Sequence, residues 1–227
     1  IFNKSELLYG FHLARNTIAN TGEVYLVEGY TDVMRMHQIG FTNTIATLGT
    51  ALTPQHLAQL KKFCRKVIIF RDSDSAGQNA AHRDLEMILQ AGLFAELVVI
   101  QSETKEDPDS IGQRPEAVEL IKASRTDAIV HLVGEAYRTG IDSYVAAHGE
   151  SKKPLLLPED KKNLTDLASK LVGCIPDDTT REAYTEQLKE LFKIKIASKP
   201  EKFEKQYFKT PEIIIDMEEK NSHLSRP

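Results

Sequence analysis

Four short apolar runs, set between longer helical stretches over residues 24–100, constrain the fold of this chain more than any other feature. The runs are Val24-Tyr25-Leu26-Val27, residues 43–46, Val67-Ile68-Ile69-Phe70, and Ala95 to Ile100. Residues 5–19 read as a helix capped by Ser5, and residues 31–39 place Val33, Met36 and His37 on one helical face. Thr53-Pro54 opens a further helix to about Phe63, since a proline in the first turn gives up an N–H that has no intrahelical partner. A long helix over 75–90 is stopped by Gly92. Strands alternating with helices of this length are joined by right-handed crossovers and line up in a parallel sheet. The expected class is α/β, a parallel-sheet domain with helices on both faces.

Beyond Pro115 the pattern changes. Residues 115–123, 126–138, 159–173 and 178–193 carry helical periodicity with no strand among them, which predicts a small helical subdomain. The chain therefore divides into a lead-in helix over 1–21, a sheet domain over 22–124, a helical subdomain over 125–194, and a tail or linker over 195–227. Because it begins with Ile1 rather than Met, it reads as a fragment of a longer polypeptide.

Composition excludes several classes. There is no apolar run of membrane-spanning length and no basic-then-apolar leader, so a cytoplasmic protein is expected. Cys64 and Cys174 belong to no Cys-x-x-Cys pair, which disfavours structural zinc and a disulfide framework. The net charge of −4 argues against a simple basic-patch nucleic-acid binder. It does not argue against an enzyme that meets phosphates through metal ions.

The acids follow the strands. Glu28 ends the first apolar run, Asp72 and Asp74 follow the third, and Asp107-Pro108-Asp109 follows the fourth. Side chains at i and i+2 of an extended segment point the same way, so each Asp pair presents two carboxylates together. Ligands of open α/β sheets sit outside the carboxyl ends of the strands. Five carboxylates from three loops thus converge on one sheet edge, as a phosphoryl-transfer site with one or two Mg²⁺ or Mn²⁺ ions requires. Gly29 and Gly77 permit close backbone approach, and the helix beginning near Ser75 adds N–H groups beside the acids. Arg71 either touches a phosphate or pairs with Asp72. Asp32 is placed equally well by a helix dipole or a role beside the metal. Gly49 and Thr50 lie in a loop on the same edge, open to phosphate contact. Tyr9 and Tyr30 read as core aromatics.

Four motifs in series carry a resemblance. Glu28-Gly29-Tyr30-Thr31-Asp32-Val33, Ala46-Thr47-Leu48-Gly49-Thr50-Ala51-Leu52-Thr53, Asp72-Ser73-Asp74-Ser75-Ala76-Gly77 and Asp107-Pro108-Asp109 resemble, in this order, the Toprim motifs of bacterial replicative DNA primases. Phe2-Asn3-Lys4-Ser5 with Leu8-Tyr9-Gly10 resembles the segment that leads into Toprim in those enzymes. The helices to residue 193 resemble the end of the primase RNA-polymerase domain. Departures are Ser73 for the usual Gly, Arg71 for an apolar or aromatic residue, and Thr31 for Met.

The resemblance implies metal-dependent synthesis of short RNA primers on single-stranded DNA from ribonucleoside triphosphates, a nucleotidyltransferase activity. Glu28, Asp72 and Asp74 would be catalytic. Glu28, Asp72, Asp74, Asp107 and Asp109 would hold Mg²⁺ or Mn²⁺. Lys4, Gly29, Asp32, Gly49, Thr50, Arg71 and Gly77 would meet nucleotide or template. The implied partners are single-stranded DNA, ribonucleoside triphosphates, and a replicative helicase reached through a domain not present here. With no zinc ribbon and no basic N-terminal half, the fragment is expected to be weak or inactive alone. The rival readings are DNA cleavage of the Toprim nuclease or topoisomerase type, and a non-catalytic Toprim module that binds nucleic acid or protein.

Overall fold

The computed structural model describes residues 6–47, 49, 51–72, 75–102, 106–149 and 154–196. The first elements are α1 (Phe11–Thr21), β1 (Glu23–Val27), α2 (Tyr30–Gln38), β2 (Thr44–Ala46), α3 (Pro54–Leu60) and β3 (Lys66–Ile69). They are followed by α4 (Ser75–Gln90), β4 (Phe94–Val98), α5 (Pro108–Gly112), α6 (Ala117–Ala123) and β5 (Arg125–Asp127). Three helices close the described chain: α7 (Ala128–His148), α8 (Pro158–Gly173) and α9 (Asp178–Phe192).

Alternation along the strands explains the layering. Val24, Leu26, Val67 and Ile69 enter one apolar cluster together with Ala14 and Ile18 of α1, Leu57 and Leu60 of α3, and Leu85 and Ile88 of α4. Tyr25, Val27 and Ile68 enter the opposite cluster with Val33 and Met36 of α2, Ile111 of α5 and Ile121 of α6. Successive strand side chains point to opposite faces, so a strand apolar at every position needs helices on both. The strand order is β2-β1-β3-β4-β5. After β2 the chain passes back beyond β1 to lay down β3, and right-handed crossovers running in opposite directions put α2 and α3 on opposite faces.

Four strands are parallel as expected, but β5 runs antiparallel to β4 and makes the sheet mixed. Periodicity misses this edge strand because its three residues are polar and half-buried. It is held by partners distant in sequence: Arg125 donates to Glu96 at 2.6 Å and to Glu23 at 2.9 Å. The strand lies on the helical side of the expected 124/125 boundary, and Leu164, Ala168, Leu171 and Leu188 of α8 and α9 share the core of the sheet's first face. The expected division over 1–21, 22–124 and 125–194 therefore crosses one continuous hydrophobic cluster.

Two further differences have local causes. The first helix begins at Phe11 rather than in residues 5–10. Tyr9 instead makes an antiparallel bridge to Ala46, its N–H donating to the Ala46 carbonyl at 2.8 Å. Gly10 has φ 78°, and a Cβ there would lie 2.9 Å from Val33 Cγ1, so the turn needs glycine both for its backbone and for its space. Tyr9 and Tyr30 are exposed rather than core residues, 37% and 56% accessible, and meet edge to face at 6.3 Å. The first pentad of the chain and the tail beyond residue 196 lie outside the described residues.

Candidate active site

In the order β2-β1-β3 the chain leaves β1 in one direction and arrives at β3 from the other, which opens a crevice beyond their carboxyl ends. Glu28 directly follows β1, and Arg71 and Asp72 follow β3 after Phe70. The register Leu26↔Ile69 sets the two ends side by side. A cavity of about 370 Å³ occupies the crevice, lined by Glu28, Gly49, Arg71, Asp72, Gly77 and Arg83 among others. Gly77, in the first turn of α4, is there for its size: a Cβ would lie 2.3 Å from the Asp72 carbonyl oxygen. Its absence lets the helix start seat against the Asp72 backbone.

Asp32 gathers the other acids. Its carboxylate accepts the Gly29 N–H at 2.9 Å, closing the first turn of α2. Burial pushes its pKa up against that hydrogen bond, and the charges of Asp107, Asp72 and Asp109 act in the same raising direction. Acids from the loops after β3 and β4 therefore lie within electrostatic reach of the loop after β1. Asp107 caps α5, accepting the Ser110 N–H at 2.6 Å. Asp109 accepts from Arg35 Nε at 2.8 Å and from Gln113 at 3.3 Å. A carboxylate has about four lone-pair sites, so both keep oxygen capacity for a further contact.

Arg71 does not pair with Asp72 in the way considered from sequence. Its Nε donates to Asp84 Oδ2 at 3.0 Å, Nη2 donates to the same oxygen, and Nη1 stands 3.4 Å from Glu28 Oε1. Burial pushes the Asp84 carboxyl up, with Arg71 pulling the other way. Among the described residues, no three His, Cys, Asp or Glu side chains form a ready group for a metal ion. Of the residues expected at the site, Lys4, Thr50 and Asp74 lie outside the described residues.

Residues 22–98 match a family model described as the Toprim domain, and residues 144–196 match one described as the DnaB-helicase binding domain of primase. A DNA primase from Helicobacter pylori is 53% identical over 83 residues, covering 37% of this chain and 15% of that protein. A DNA primase from Pseudomonas putida is 34% identical over 194 residues, covering 84% of this chain and 28% of that protein. The solved zinc-binding and RNA-polymerase domains of the Aquifex aeolicus primase align with a TM-score of 0.67 at 28% identity, over 86% of this chain and 43% of that one. These matches support a fragment of the RNA-polymerase domain of a bacterial DNA primase. The chain spans between 15% and 28% of these two curated relatives.

The primase likeness bears on two expectations. Toprim proteins and primases generally use a divalent metal, and the donor set here is of the right kind: hard carboxylate oxygens whose charges accumulate around Asp32. The helicase was placed by the sequence in a domain outside this chain, whereas the helicase-binding match lies inside it, over the end of α7 through α9. No helix among the described residues is long and apolar enough to cross a membrane.

Sequence reasoning missed Asp84, Arg83 and Arg35. Asp84 had a signal: it falls in the spacing Ala81, Asp84, Leu85, Ile88, which is the buried stripe of α4. An acid on such a stripe calls for a basic partner, and Arg71 is it. Arg35 carried no signal, because its contact with Asp109 depends on α2 packing against α5.

Proposed function

We propose that this chain supplies the Toprim part of a primase catalytic centre, making short RNA primers on a single-stranded DNA template from ribonucleoside triphosphates. The observation that carries the reading is the crevice between β1 and β3. Glu28 and Asp72 line one cavity there, and Asp72, Asp107 and Asp109 act together on Asp32. In this reading Asp72 and Asp74, joined by Asp107 and Asp109, hold Mg²⁺ or Mn²⁺. The bound metal would offset charge on the triphosphate and favour the attacking 3′-hydroxyl. Glu28 completes the ligand set or accepts the hydroxyl proton. Gly77 lets the α4 N-terminus approach closely, so that its N–H groups face phosphate oxygens. Arg83 adds a cation to the cavity wall. Gly29 and Gly49 shape the nucleotide rim, and Thr50 and Lys4, which lie outside the described residues, are assigned to nucleotide or template contact in this reading. The segment matching the helicase-binding model is the surface this reading assigns to a replicative helicase, and a cytoplasmic location goes with it.

The test uses the full-length protein. Calorimetric titration with Mn²⁺ and a primer-synthesis assay on single-stranded DNA are run on wild type and Asp72→Asn. Wild type is expected to bind Mn²⁺ and extend primers. Asp72→Asn should lose at least ~10-fold in metal affinity and most of its synthesis. Indifference of the wild type to Mn²⁺ would sink the reading, and metal-dependent nicking of supercoiled DNA without synthesis would favour the cleavage alternative.

A further inference from the structure

We infer that Arg71, held from behind by Asp84, is a positioning residue that aims the Glu28 carboxylate into the β1/β3 crevice; the inference rests on the primase reading of that site. The Arg71 and Asp84 side chains are 8% and 5% exposed, whereas Glu28 is 38% exposed. Two guanidinium nitrogens face Asp84 and a third faces Glu28 at 3.4 Å. A guanidinium is planar and rigid, so anchoring Nε and Nη2 fixes the direction in which Nη1 presents its hydrogens. Glu28 sits between the end of β1 and the start of α2, outside any hydrogen-bonded element. Arg71 is the one ion-pair partner recorded for its carboxylate among the described residues.

A purely structural role does not account for the pair. Two buried charges cost desolvation on each side, and apolar side chains of similar volume usually serve stability as well or better. What an apolar pair cannot supply is a cation aimed at Glu28. The location agrees, because Arg71 lines both the 370 Å³ cavity and a smaller one of about 120 Å³ bounded by His82, His131 and Leu132. Arg71 is thus part of the wall between the two, and a flexible side chain there would leave Glu28 without a fixed edge to rest on.

The test compares wild type, Arg71→Met/Asp84→Leu, Arg71→Lys, Glu28→Gln, and the triple variant in the full-length protein. Readouts are thermal unfolding, affinity for Mn²⁺ alone, and kcat and KM for ribonucleoside triphosphates. The double variant should melt at or above the wild-type temperature while kcat falls about 10- to 100-fold, the usual cost of losing a supporting contact to a site residue. KM should change little. Adding Glu28→Gln to the double variant should cost nothing beyond Glu28→Gln alone, since both remove the same interaction. Arg71→Lys keeps the buried charge as a point cation that cannot serve Asp84 and Glu28 together, so an intermediate kcat is expected. Wild-type kcat in the double variant, or losses that multiply with Glu28→Gln, would overturn the inference. Should the double variant not fold, wild-type kcat in Arg71→Lys overturns it instead. A fully active Glu28→Gln would show that the reading of the site itself had failed.

Discussion

Replacing Gly77 by alanine separates the demands of the site from those of the helix. In a helix the change is ordinarily favourable by up to about 1 kcal/mol, because glycine gives up more backbone freedom on folding. Here the new Cβ would lie 2.3 Å from the Asp72 carbonyl oxygen and 3.1 Å from its carbon, and both are backbone atoms with no rotamer to yield. That is at least ~1 Å inside normal contact, so either α4 or the Asp72 backbone must move by a comparable amount. Overpacking of this kind costs about 1–3 kcal/mol, which exceeds the helical gain. The net destabilisation should be about 1 kcal/mol, a fall in Tm of roughly 2–4 °C for a unit of this size. The larger effect falls on activity, since displacing a reacting group by ~1 Å can cost about 100-fold in rate. Gly134 is the control: a Cβ there would meet Phe192 Cζ at 3.6 Å, an ordinary contact, so Gly134→Ala should raise Tm slightly and leave synthesis unchanged. Thermal melts and primer-synthesis rates on the two full-length variants give the comparison. If Gly77→Ala is as stable and as active as Gly134→Ala, the backbone-approach argument is wrong.

At the opposite end of the sheet, burial pushes the pKa of Glu23 and Glu96 up, but hydrogen bonds and charge from Arg125 and Lys66 outweigh it and hold both below the usual carboxylate range. Groups with depressed folded pKa values contribute stability above the ordinary carboxylate range and lose it as pH falls through the folded values. Arg125→Met should therefore cost about 1–2 kcal/mol at pH 7, and the gap to wild type in urea midpoints should shrink in acid; a gap independent of pH would refute the account. Tyr184 donates to Asp127 at 2.6 Å while Asp127 caps α7 by accepting the Val130 N–H at 3.0 Å. Tyr184→Phe should lower stability by about 1.5–3 kcal/mol, and an unchanged urea midpoint would show that the α9 contact carries no weight.

How much was legible follows from what each feature depends on. The four parallel strands and the helices between them depend on local periodicity and turn chemistry, so Val24 to Val27, Val67 to Phe70 and the Thr53-Pro54 helix start were readable directly. Their carboxyl ends carry Glu28 and Asp72, and parallel topology alone brings those ends together. Motif order named the family. Tertiary structure decided what no local window contains. β5 exists because Arg125 finds Glu23 and Glu96 across the sheet, and the helices beyond it share one core with the sheet. Arg71 turns to Asp84 and Glu28 rather than to its neighbour Asp72, because α4 carries Asp84 to the buried side of the loop. Periodicity is written in consecutive residues, whereas the partner of a buried charge is chosen by packing between segments far apart in the chain.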